Sequence, residues 1–430
     1  MGLVIGIIAR DFQSIGGFQS YTETLVEELL DQGHCVHVLS SSRPPAGLVK
    51  KGVRFVVDPA ISKTEHDLWR LAEEEILSKK TVVSATDALR QKVTRFFDQF
   101  ESDPGKHVVF FVSIHRLFFL GVSINVILEC AKRKIPLVSR EASELHFFKY
   151  RKVEETVLSC PNRIVVPSLL MKKWLTQKKV SSKKIRLVHN GISKDFFSGF
   201  VPRFSKQLRI LFPGRVFPRV PGLIWDKGIG DLLFGYSKIA SEFPDSVLIF
   251  GGFDPTNKNN RFALNAIRQF AKNCGIESRI RFLSVADSVR KDFLKQYRRA
   301  DMVVCNSQYP ESYLNTVWEA MAMQKPVVTT TRAISVMEAI HPKEVFLAKD
   351  ISQSSPLVVI PLSHPNVLAE VLHRLLSDFR LRNRIGKNGK KLAKKRVLRP
   401  LVKELVNVLE STRGHPNKSV VQKIWDSFSD

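Results

Sequence analysis

Short apolar runs alternate along the chain with longer segments in which apolar residues recur at helical spacing. In the first half the runs are LVIGII, CVHVLS, VRFVV, HVVFFV, IPLVS, RIVVP and IRLVH, with amphipathic segments such as SYTETLVEELLDQG between them. A second series, LRILF, SVLIF, RIRFL, DMVVC, PVVTT and LVVIP, fills the second half. Buried strands that alternate with helices predict parallel sheets covered by helices.

A stretch without periodicity, NGISKDFFSGFVPRFSKQ at 190–207, separates the two series. Because 430 residues exceed one ordinary core, we expect an α/β chain of two Rossmann-like, doubly wound domains. Their predicted bounds are 1–192 and 207–400, with a linker over 193–206 and a C-terminal helix or tail over 401–430 that crosses back to the first domain. Domains of this kind bind ligands at the carboxyl ends of their strands.

The charge balance points to anionic partners. Lysine and arginine number 67 against 41 aspartates and glutamates, which gives a net charge of +26. Such an excess attracts phosphate groups, anionic lipid or nucleic acid. Nucleic acid is not the expected partner, because no recognition motif or basic-aromatic repeat accompanies the charge.

Cysteine usage and the apolar stretches predict a cytoplasmic protein. The five cysteines are scattered without a CxxC pair, which suits a reducing compartment and predicts no disulfide framework. The N-terminal MGLVIGIIARDF lacks a charged n-region and predicts a buried strand rather than a signal peptide. The apolar stretch at 108–128 is interrupted by His115, Arg116 and Asn125, so it predicts strand, loop and helix rather than a transmembrane span.

Glycines and cations follow the first strand of each predicted domain. Gly16 and Gly17 lie between a strand and a helix, where backbone amides can approach a phosphate, although such a pair is often only a turn. Arg215 ends the first strand of the second domain and Lys227 precedes the next helix. Two cations at one sheet edge suit a diphosphate, and a solvated basic loop is the alternative.

Two carboxylates bracket the start of a helix in the second domain. PESYLNTVWEA at 310–320 places Glu311 and Glu319 eight residues apart, between the strands DMVVC and PVVTT. Eight helical residues span about 12 Å, so the two carboxylates can contact different parts of one ligand. Between them, the amides near Leu314 and Asn315 are available to a phosphate at the helix start.

These segments occur in the order found in family 4 glycosyltransferases, the retaining enzymes of the two-Rossmann GT-B fold. The chain resembles this family over roughly residues 2–400, through SIGGFQSYTETLVEELLDQGHCVHVLS, RIVVPS, IRLVHNGISKDFF, PGR with DKGIGDLL, RIRFLSVADSVRKDFLKQYRRADMVVCNSQ and PESYLNTVWEAMAMQKPVVTT. The resemblance implies two domains that face each other across a cleft. It also implies a hexosyltransferase-type enzyme that moves a sugar from a nucleoside-diphosphate-sugar to a lipid, glycan or small-molecule acceptor.

The resemblance assigns roles to the acidic and basic residues. Glu311 would face the transferred sugar and the departing diphosphate, while Glu319 would accept hydrogen bonds from the ribose hydroxyls. Arg215 and Lys227 would neutralise the charge that builds on the diphosphate as the glycosidic bond opens. Gly17 would bring a backbone amide against the same phosphates.

Two histidines are further candidates for the predicted site, and no metal is expected there. His115 matches the family's histidine at a strand end and would hydrogen-bond the sugar and orient the reacting groups, although a lone histidine there is often structural. His146 is a second candidate for the same position. No cofactor beyond the nucleotide sugar and no metal are expected, because the chain lacks a D-x-D motif. The GHCVH segment predicts no metal cluster, because Cys35 and His37 alternate along a strand.

Three departures from the family pattern lie near the predicted donor site. VFPRVPGLIWD at 216–226 is inserted where the family has few residues, and TRAIS replaces a double glycine after PVV. Gln324 stands where a glycine usually ends the helix, which would cost some stability if the residue is left-handed. Glu338 of the family's late motif is retained in SVMEAI. These changes leave the donor sugar open.

Other functions remain as alternatives to transfer. A sugar-nucleotide epimerase of the same architecture is one, and an inactive nucleotide-sugar-binding protein or a nucleic-acid-binding protein is another. The E-x7-E segment and the HNG segment favour the transferase.

A basic amphipathic segment predicts contact with an anionic membrane surface. SLLMKKWLTQKKVSSKK at 168–184 begins at a serine cap. Its apolar positions share one helical face next to four lysines: Leu170, Met171, Trp174 and Leu175, with Lys172, Lys173, Lys178 and Lys179. Such a helix can lie peripherally on the cytoplasmic face of a membrane. The alternative is that the apolar face packs on the first domain's sheet.

Overall fold

The structure is a computed structural model of the chain. It describes residues 2–10, 12, 17–114, 116, 119–142, 150–198, 207–215, 227–253, 258–284, 289–340, 354–417 and 419–428. Contacts group the chain into two compact units. The first unit comprises Met1–Ser14, Tyr21–His189 and Arg399–Asp430, and the second comprises Ile15–Ser20 and Asn190–Leu398.

The described strands form two parallel sheets, which confirms the predicted fold class. The strands of the first sheet are β1 (Val4–Ile8), β2 (Cys35–Ser40), β3 (Arg54–Val57), β4 (His107–Val112), β5 (Leu137–Arg140), β6 (Arg163–Val166) and β7 (Ile185–Leu187). Those of the second are β8 (Leu208–Arg215), β9 (Ser246–Phe253), β10 (Ile280–Ser284), β11 (Met302–Cys305), β12 (Val327–Thr330) and β13 (Val358–Ile360).

Each sheet has a point at which the direction of strand addition reverses. The order is β3-β2-β1-β4-β5-β6-β7 in the first sheet and β10-β9-β8-β11-β12-β13 in the second. The reversals therefore lie between β1 and β4 and between β8 and β11. Ligands of open parallel sheets bind in the crevice that such a reversal creates at the carboxyl ends of the strands.

Helices connect the strands. Those that lie in the first unit, apart from the first four residues of α1, are α1 (Gly17–Asp31), α2 (Ala46–Lys50), α3 (Pro59–Glu73), α4 (Lys79–Glu101), α5 (Leu120–Arg133), α6 (Arg151–Leu158) and α7 (Leu169–Gln177). In the second unit they are α8 (Ile229–Ser237), α9 (Lys258–Asn273), α10 (Val289–Arg299), α11 (Asn315–Ala322), α12 (Ile334–Met337), α13 (Pro365–Ser377) and α14 (Phe379–Ala393). The chain continues with α15 (Leu398–Ser411) and α16 (Ser419–Asp426).

Alternation along the strands builds a core on each face of the second sheet. Ile210 and Phe212 of β8 pack into the cluster with α8 and α13, whereas Leu211 packs into the cluster with α10 and α11. Residues that alternate along a strand point to opposite faces, so a strand buried on both faces is apolar throughout. This is why the runs in the sequence are continuous rather than alternating.

The first unit's core includes the C-terminal helix. Phe96 and Phe100 of α4 pack over Gly6 of β1, where a Cβ atom would lie 3.1 and 3.3 Å from their rings. Val421 and Ile424 of α16 are buried in the same core.

The predicted linker begins within the second unit. Residues 193–198 are among the described residues of that unit, where Phe196 is buried in its core, and 199–206 lie outside the described residues.

Helix α7 buries part of the face that the sequence suggested for a membrane. Ser168 caps the helix as predicted, since its hydroxyl accepts from the backbone amide of Met171 at 3.3 Å. Met171 and Leu175 are buried against β6 and β7, which is the packing alternative. Leu169 is 52% exposed. Among the helices of the described segments, none combines the length and the apolarity needed to cross a bilayer.

Candidate functional site

The loops that follow β8 and β11 meet at the reversal point of the second sheet. Lys227 and Gly228 immediately precede α8, and residues 306–311 follow β11. The two strands are hydrogen-bonded neighbours in the sheet, although β9 and β10 lie between them in the chain. Strand order therefore brings together segments about 80 residues apart in sequence at the edge where ligands bind.

Gly228 and Asn306 join the two loops. Gly228 has a φ of +74°, and a Cβ atom there would lie 2.2 Å from the carbonyl oxygen of Asn306. The Asn306 side chain is fully buried, and its Nδ2 donates to the Gly228 carbonyl at 2.8 Å. The backbone conformation and the close approach both require glycine. The neighbouring Lys227 is thereby held at the end of β11.

The loop that carries Glu311 is fixed to the end of β12. The Glu311 amide donates to the Arg332 carbonyl at 2.7 Å, and the Ile334 amide donates to the Glu311 carbonyl at 3.2 Å. This pairing forms an isolated parallel bridge between Glu311 and Ala333. The TRAIS segment that replaces the expected double glycine thus supplies the backbone that positions Glu311.

Lys227 and Glu311 form an ion pair. The Lys227 ammonium donates to Glu311 Oε1, and the Ser307 hydroxyl donates to the same oxygen at 3.2 Å. The two charged side chains are only 14% and 12% exposed. A pair so little hydrated is stronger than one on an open surface, and removing one partner costs more.

Glu319 has a different environment on α11. The helix buries Trp318 and Met321 against the core, which leaves Glu319 partly accessible beside α10. The Tyr297 hydroxyl donates to Glu319 Oε2 at 3.2 Å. Burial raises the pKa of Glu319 to about 7, against the opposing effect of the Tyr297 hydrogen bond. Among the described side chains, Glu319 pairs with a hydroxyl and with no cation.

The start of α11 is held by the HNG segment. The Asn190 amide donates from Nδ2 to Asn315 Oδ1 at 3.2 Å, and the Tyr313 hydroxyl donates to the Asn190 carbonyl at 2.5 Å. Leu314 precedes the first helical residue and makes no side-chain cap. Both predicted donor-binding positions, Leu314 and Asn315, therefore lie at the helix start between the two glutamates.

Comparison with known proteins identifies this part of the chain. Residues 200–392, just under half of the chain, match the model of the family described as glycosyl transferases group 1. The matched residues all lie in the second unit. The chain is 25% identical over 185 residues to the putative glycosyltransferase YtcC of Bacillus subtilis (strain 168), an alignment that spans 42% of this chain and 40% of that protein.

Further similarities extend the comparison. The spore coat protein SA of the same strain is 25% identical over 191 residues, which span 44% of this chain and 46% of that protein. The chain thus covers less than half of each curated relative. The crystal structure of Anabaena Alr3699/HepE in complex with UDP and glucose superimposes with a TM-score of 0.69 at 15% identity, covering 95% of this chain and 99% of that one. The two-unit architecture is the GT-B fold.

Several predicted site residues fall outside the described part of the chain. Gly16, His115 and His146 are among them, as is the 216–226 insertion. Gly17 is the first residue of α1, directly after that gap. Arg215 ends β8 and its backbone pairs with Gly252, but its side chain is outside the described atoms. Their predicted roles stay predictions.

One departure from the family pattern, Gln324, has a structural consequence in the second unit, and the retained Glu338 lies near it in the chain. Gln324 is left-handed, with a φ of +59°, so the strain anticipated from the missing glycine is present. The Gln324 carbonyl lies 2.1 Å from where a Cβ atom on Gly386 of α14 would be, so the two segments pack backbone to backbone. Glu338 follows α12, and its amide donates to the Ile334 carbonyl at 2.8 Å.

Sequence reasoning missed two side chains of the site. Asn306 carried a usable signal, because it is the first polar residue after the apolar strand β11. Tyr297 carried none, because it lies within an amphipathic helix whose register alone does not show that its hydroxyl reaches α11.

Proposed function

We propose that the chain is a retaining glycosyltransferase that moves a sugar from a nucleoside-diphosphate-sugar to an acceptor. The observation that carries this proposal is the Lys227–Glu311 ion pair at the reversal point of the second sheet, within a domain of the group 1 family. Glu319 follows in the same segment, on the helix α11 that begins at Asn315. Cation, carboxylate and helix start are thus gathered at the edge where this fold binds ligands.

Lys227 would exchange partners when the donor binds. In the structure its ammonium contacts Glu311, and a diphosphate would offer it more negative charge than one carboxylate does. Lys227 would then stabilise the charge that develops on the leaving diphosphate, together with Arg215 and the amides at the start of α11. Glu311, released from the ammonium, would face the transferred sugar.

Glu319 would hold the ribose. A partly buried carboxylate with a hydroxyl partner and no described cation has lone pairs to offer to further hydroxyl donors. Hydrogen bonds from two ribose hydroxyls favour the ionised carboxylate, so donor binding would lower the pKa of Glu319 and release a proton near neutral pH. Replacing Glu319 by Ala should weaken binding of the free nucleotide by about 1.5–3 kcal/mol in calorimetry.

UDP-glucose is the first donor to test, because a structure with the same fold contains UDP and glucose. The acceptor proposed is a lipid, a glycan or a small molecule, and transfer is proposed to need no metal. Contact with an anionic membrane through α7 stays a prediction. The exposure of Leu169, Lys172 and Lys173 supports this prediction. Met171 is buried in the core of the first unit and is not available to a membrane.

A panel of labelled UDP-, GDP- and ADP-sugars tests the proposal. We expect hydrolysis or transfer with one donor and a product that keeps the donor's anomeric configuration, measured by proton NMR. Glu311→Gln should lower turnover far more than nucleotide affinity, and full activity of that variant would remove Glu311 from the mechanism. An epimerised sugar nucleotide, or binding without reaction across the panel, would contradict the assignment.

A further inference from the structure

Three potential metal ligands converge at the amino end of the first sheet. Cys35 and His37 are two residues apart on β2 and therefore share one face of the sheet. Asp103 reaches them from the segment between α4 and β4. Cys35 Sγ donates to Asp103 Oδ2 at 3.0 Å, and His37 Nε2 lies 2.6 Å from the same oxygen. The three ligand atoms all lie within 4.8 Å of one another.

This cluster is separate from the proposed donor site. It belongs entirely to the first unit, whereas Lys227, Glu311 and Glu319 belong to the second. It also lies where β2 begins, and parallel strands present their ligand-binding loops at the opposite, carboxyl edge. Failure of the transferase proposal would therefore leave this inference untouched.

The order of the three groups excludes a nucleophilic thiol. In a Cys-His-Asp catalytic arrangement the imidazole stands between the thiol and the carboxylate. Here the carboxylate of Asp103 stands between the other two. Burial and the neighbouring Asp103 raise the pKa of Cys35 to about 11, so the thiol stays protonated without a metal. A structural role is therefore the chemistry to consider.

The surroundings orient the ligands. The Arg54 guanidinium of β3 pairs with the other carboxylate oxygen, Asp103 Oδ1. Burial works to raise the pKa of Asp103, but hydrogen bonds from Cys35, His37 and Arg54 outweigh it and lower that pKa to about 2. The edge of the His37 ring meets Phe100 at 5.7 Å. Arg54 therefore holds the Asp103 carboxylate in place from a second layer, as hydrogen-bonding partners do around metal ligands.

The GHCVH segment alone predicted no metal cluster, and Asp103 is distant from it in sequence. With Asp103 beside them, we propose that Cys35, His37 and Asp103 bind a divalent cation of the Zn²⁺ type, with solvent as the fourth ligand. One thiolate, one imidazole and one carboxylate are the donor types that Zn²⁺ takes in tetrahedral sites. The Asp103 side chain is 13% exposed, so an ion can reach it from solvent. Binding replaces the Cys35 proton by the metal and releases that proton, so affinity rises with pH. The ion would join β2 to the segment that leads into β4.

Cobalt(II) is the probe, because its thiolate complexes absorb through a sulfur-to-metal charge-transfer band. The full chain is treated with a chelator and titrated with Co²⁺, and Zn²⁺ is then added as a competitor. We expect one equivalent of Co²⁺ to give the band and Zn²⁺ to abolish it. Cys274→Ser, which removes another partly accessible thiol, is the matched control and should behave like the parent chain.

Two variants decide the outcome. Cys35→Ser should abolish the band, and Asp103→Asn, which keeps the size of the side chain, should weaken Co²⁺ binding tenfold or more. Circular dichroism checks that both variants fold. If Cys35→Ser does not fold, the Co²⁺ affinity of Asp103→Asn decides the outcome. Three results would contradict the proposal: no band in the parent chain, a band that persists in Cys35→Ser, or equal Co²⁺ affinity in Asp103→Asn. Asp103 would then only accept hydrogen bonds from its neighbours.

Discussion

Glu311 and Glu319 lie eight residues apart in the second unit. Their surroundings nevertheless have opposite effects on the charge of a carboxylate. Glu311 lies in a loop whose backbone is paired with the segment after β12, and an ammonium contacts its side chain. Glu319 lies on α11 beside the Tyr297 hydroxyl, in surroundings that raise its pKa to about 7. One region stabilises the negative charge with a cation, and the other disfavours it by burial.

The difference suits the two carboxylates to different roles toward one ligand. A carboxylate already matched to a cation can exchange that cation with an incoming diphosphate. A carboxylate with a raised pKa gains when donors that favour its ionised form arrive. Sites in which two carboxylates have different roles typically surround them with environments that move their pKa values apart.

Gly228→Ala should break the Glu311 side of the comparison with the largest effect. The left-handed backbone costs an L residue about 1–2 kcal/mol, and the contact with the Asn306 carbonyl adds about 1–3 kcal/mol. Chemical denaturation measures the loss. Gly275→Ala is the matched control, because Gly275 has a φ of +69° but nothing within 4 Å of the added atom. Equal losses in the two variants would show that the Asn306 contact does not matter.

Lys227→Met should remove the cation and leave Glu311 without its ammonium partner. We expect the free energy of unfolding to fall by about 2–3 kcal/mol and nucleotide affinity to fall at least tenfold. Lys387→Met removes an exposed lysine of α14 in the same unit and should change neither quantity. A loss of stability with unchanged nucleotide affinity would assign Lys227 to structure alone.

Glu319→Gln should sharpen the comparison through pH. The folded chain keeps the Glu319 proton up to about pH 7, whereas the ordinary pKa is 4.5. More protons are then bound in the folded state between these values, so Glu319 makes stability fall as pH rises from 4.5 to 7. Such a pKa difference is worth about 3 kcal/mol for a fully buried group. Because Glu319 is partly accessible to solvent, the variant should lack a pH-dependent component of about 1–2 kcal/mol.

Denaturation of both chains across that pH range measures the difference. Glu277→Gln, at an exposed carboxylate of the same unit, supplies the control. Parallel pH profiles for the parent chain and Glu319→Gln would contradict the raised pKa.

Gln324→Gly should have the smallest effect and leave both carboxylates unchanged. Glycine relieves the left-handed strain at the end of α11, while the unfolded chain gains freedom and the hydrogen bond from Gln324 Nε2 to Asn383 Oδ1 is lost. The expected net gain is about 0.5 kcal/mol. Thermal unfolding compares it with Gln324→Ala, which loses the amide without relieving the strain and should not be stabilised.

The sequence by itself determined which segments are buried and how they are ordered. Continuous apolar runs separated by amphipathic segments specify parallel strands covered by helices, because both faces of each strand must be apolar. The same pattern located the strand ends at which Arg215, Lys227 and Glu311 lie. Local signals also sufficed for the serine cap of α7 and for the cost of a missing glycine at Gln324, since both depend on adjacent backbone.

Only the tertiary structure decided which polar groups meet. Lys227 contacts Glu311 across 84 residues, and Asn306 reaches Gly228 across 78, because β11 adds beside β8 rather than beside β10. Asp103 likewise reaches Cys35 across 68 residues, through a helix whose length and packing set where it ends. The periodicity of apolar residues shows which face of each segment is buried. Which polar side chains meet depends instead on the order of the strands, and the strength of their interaction depends on how far water is excluded around them. Those arise only when the sheets are assembled.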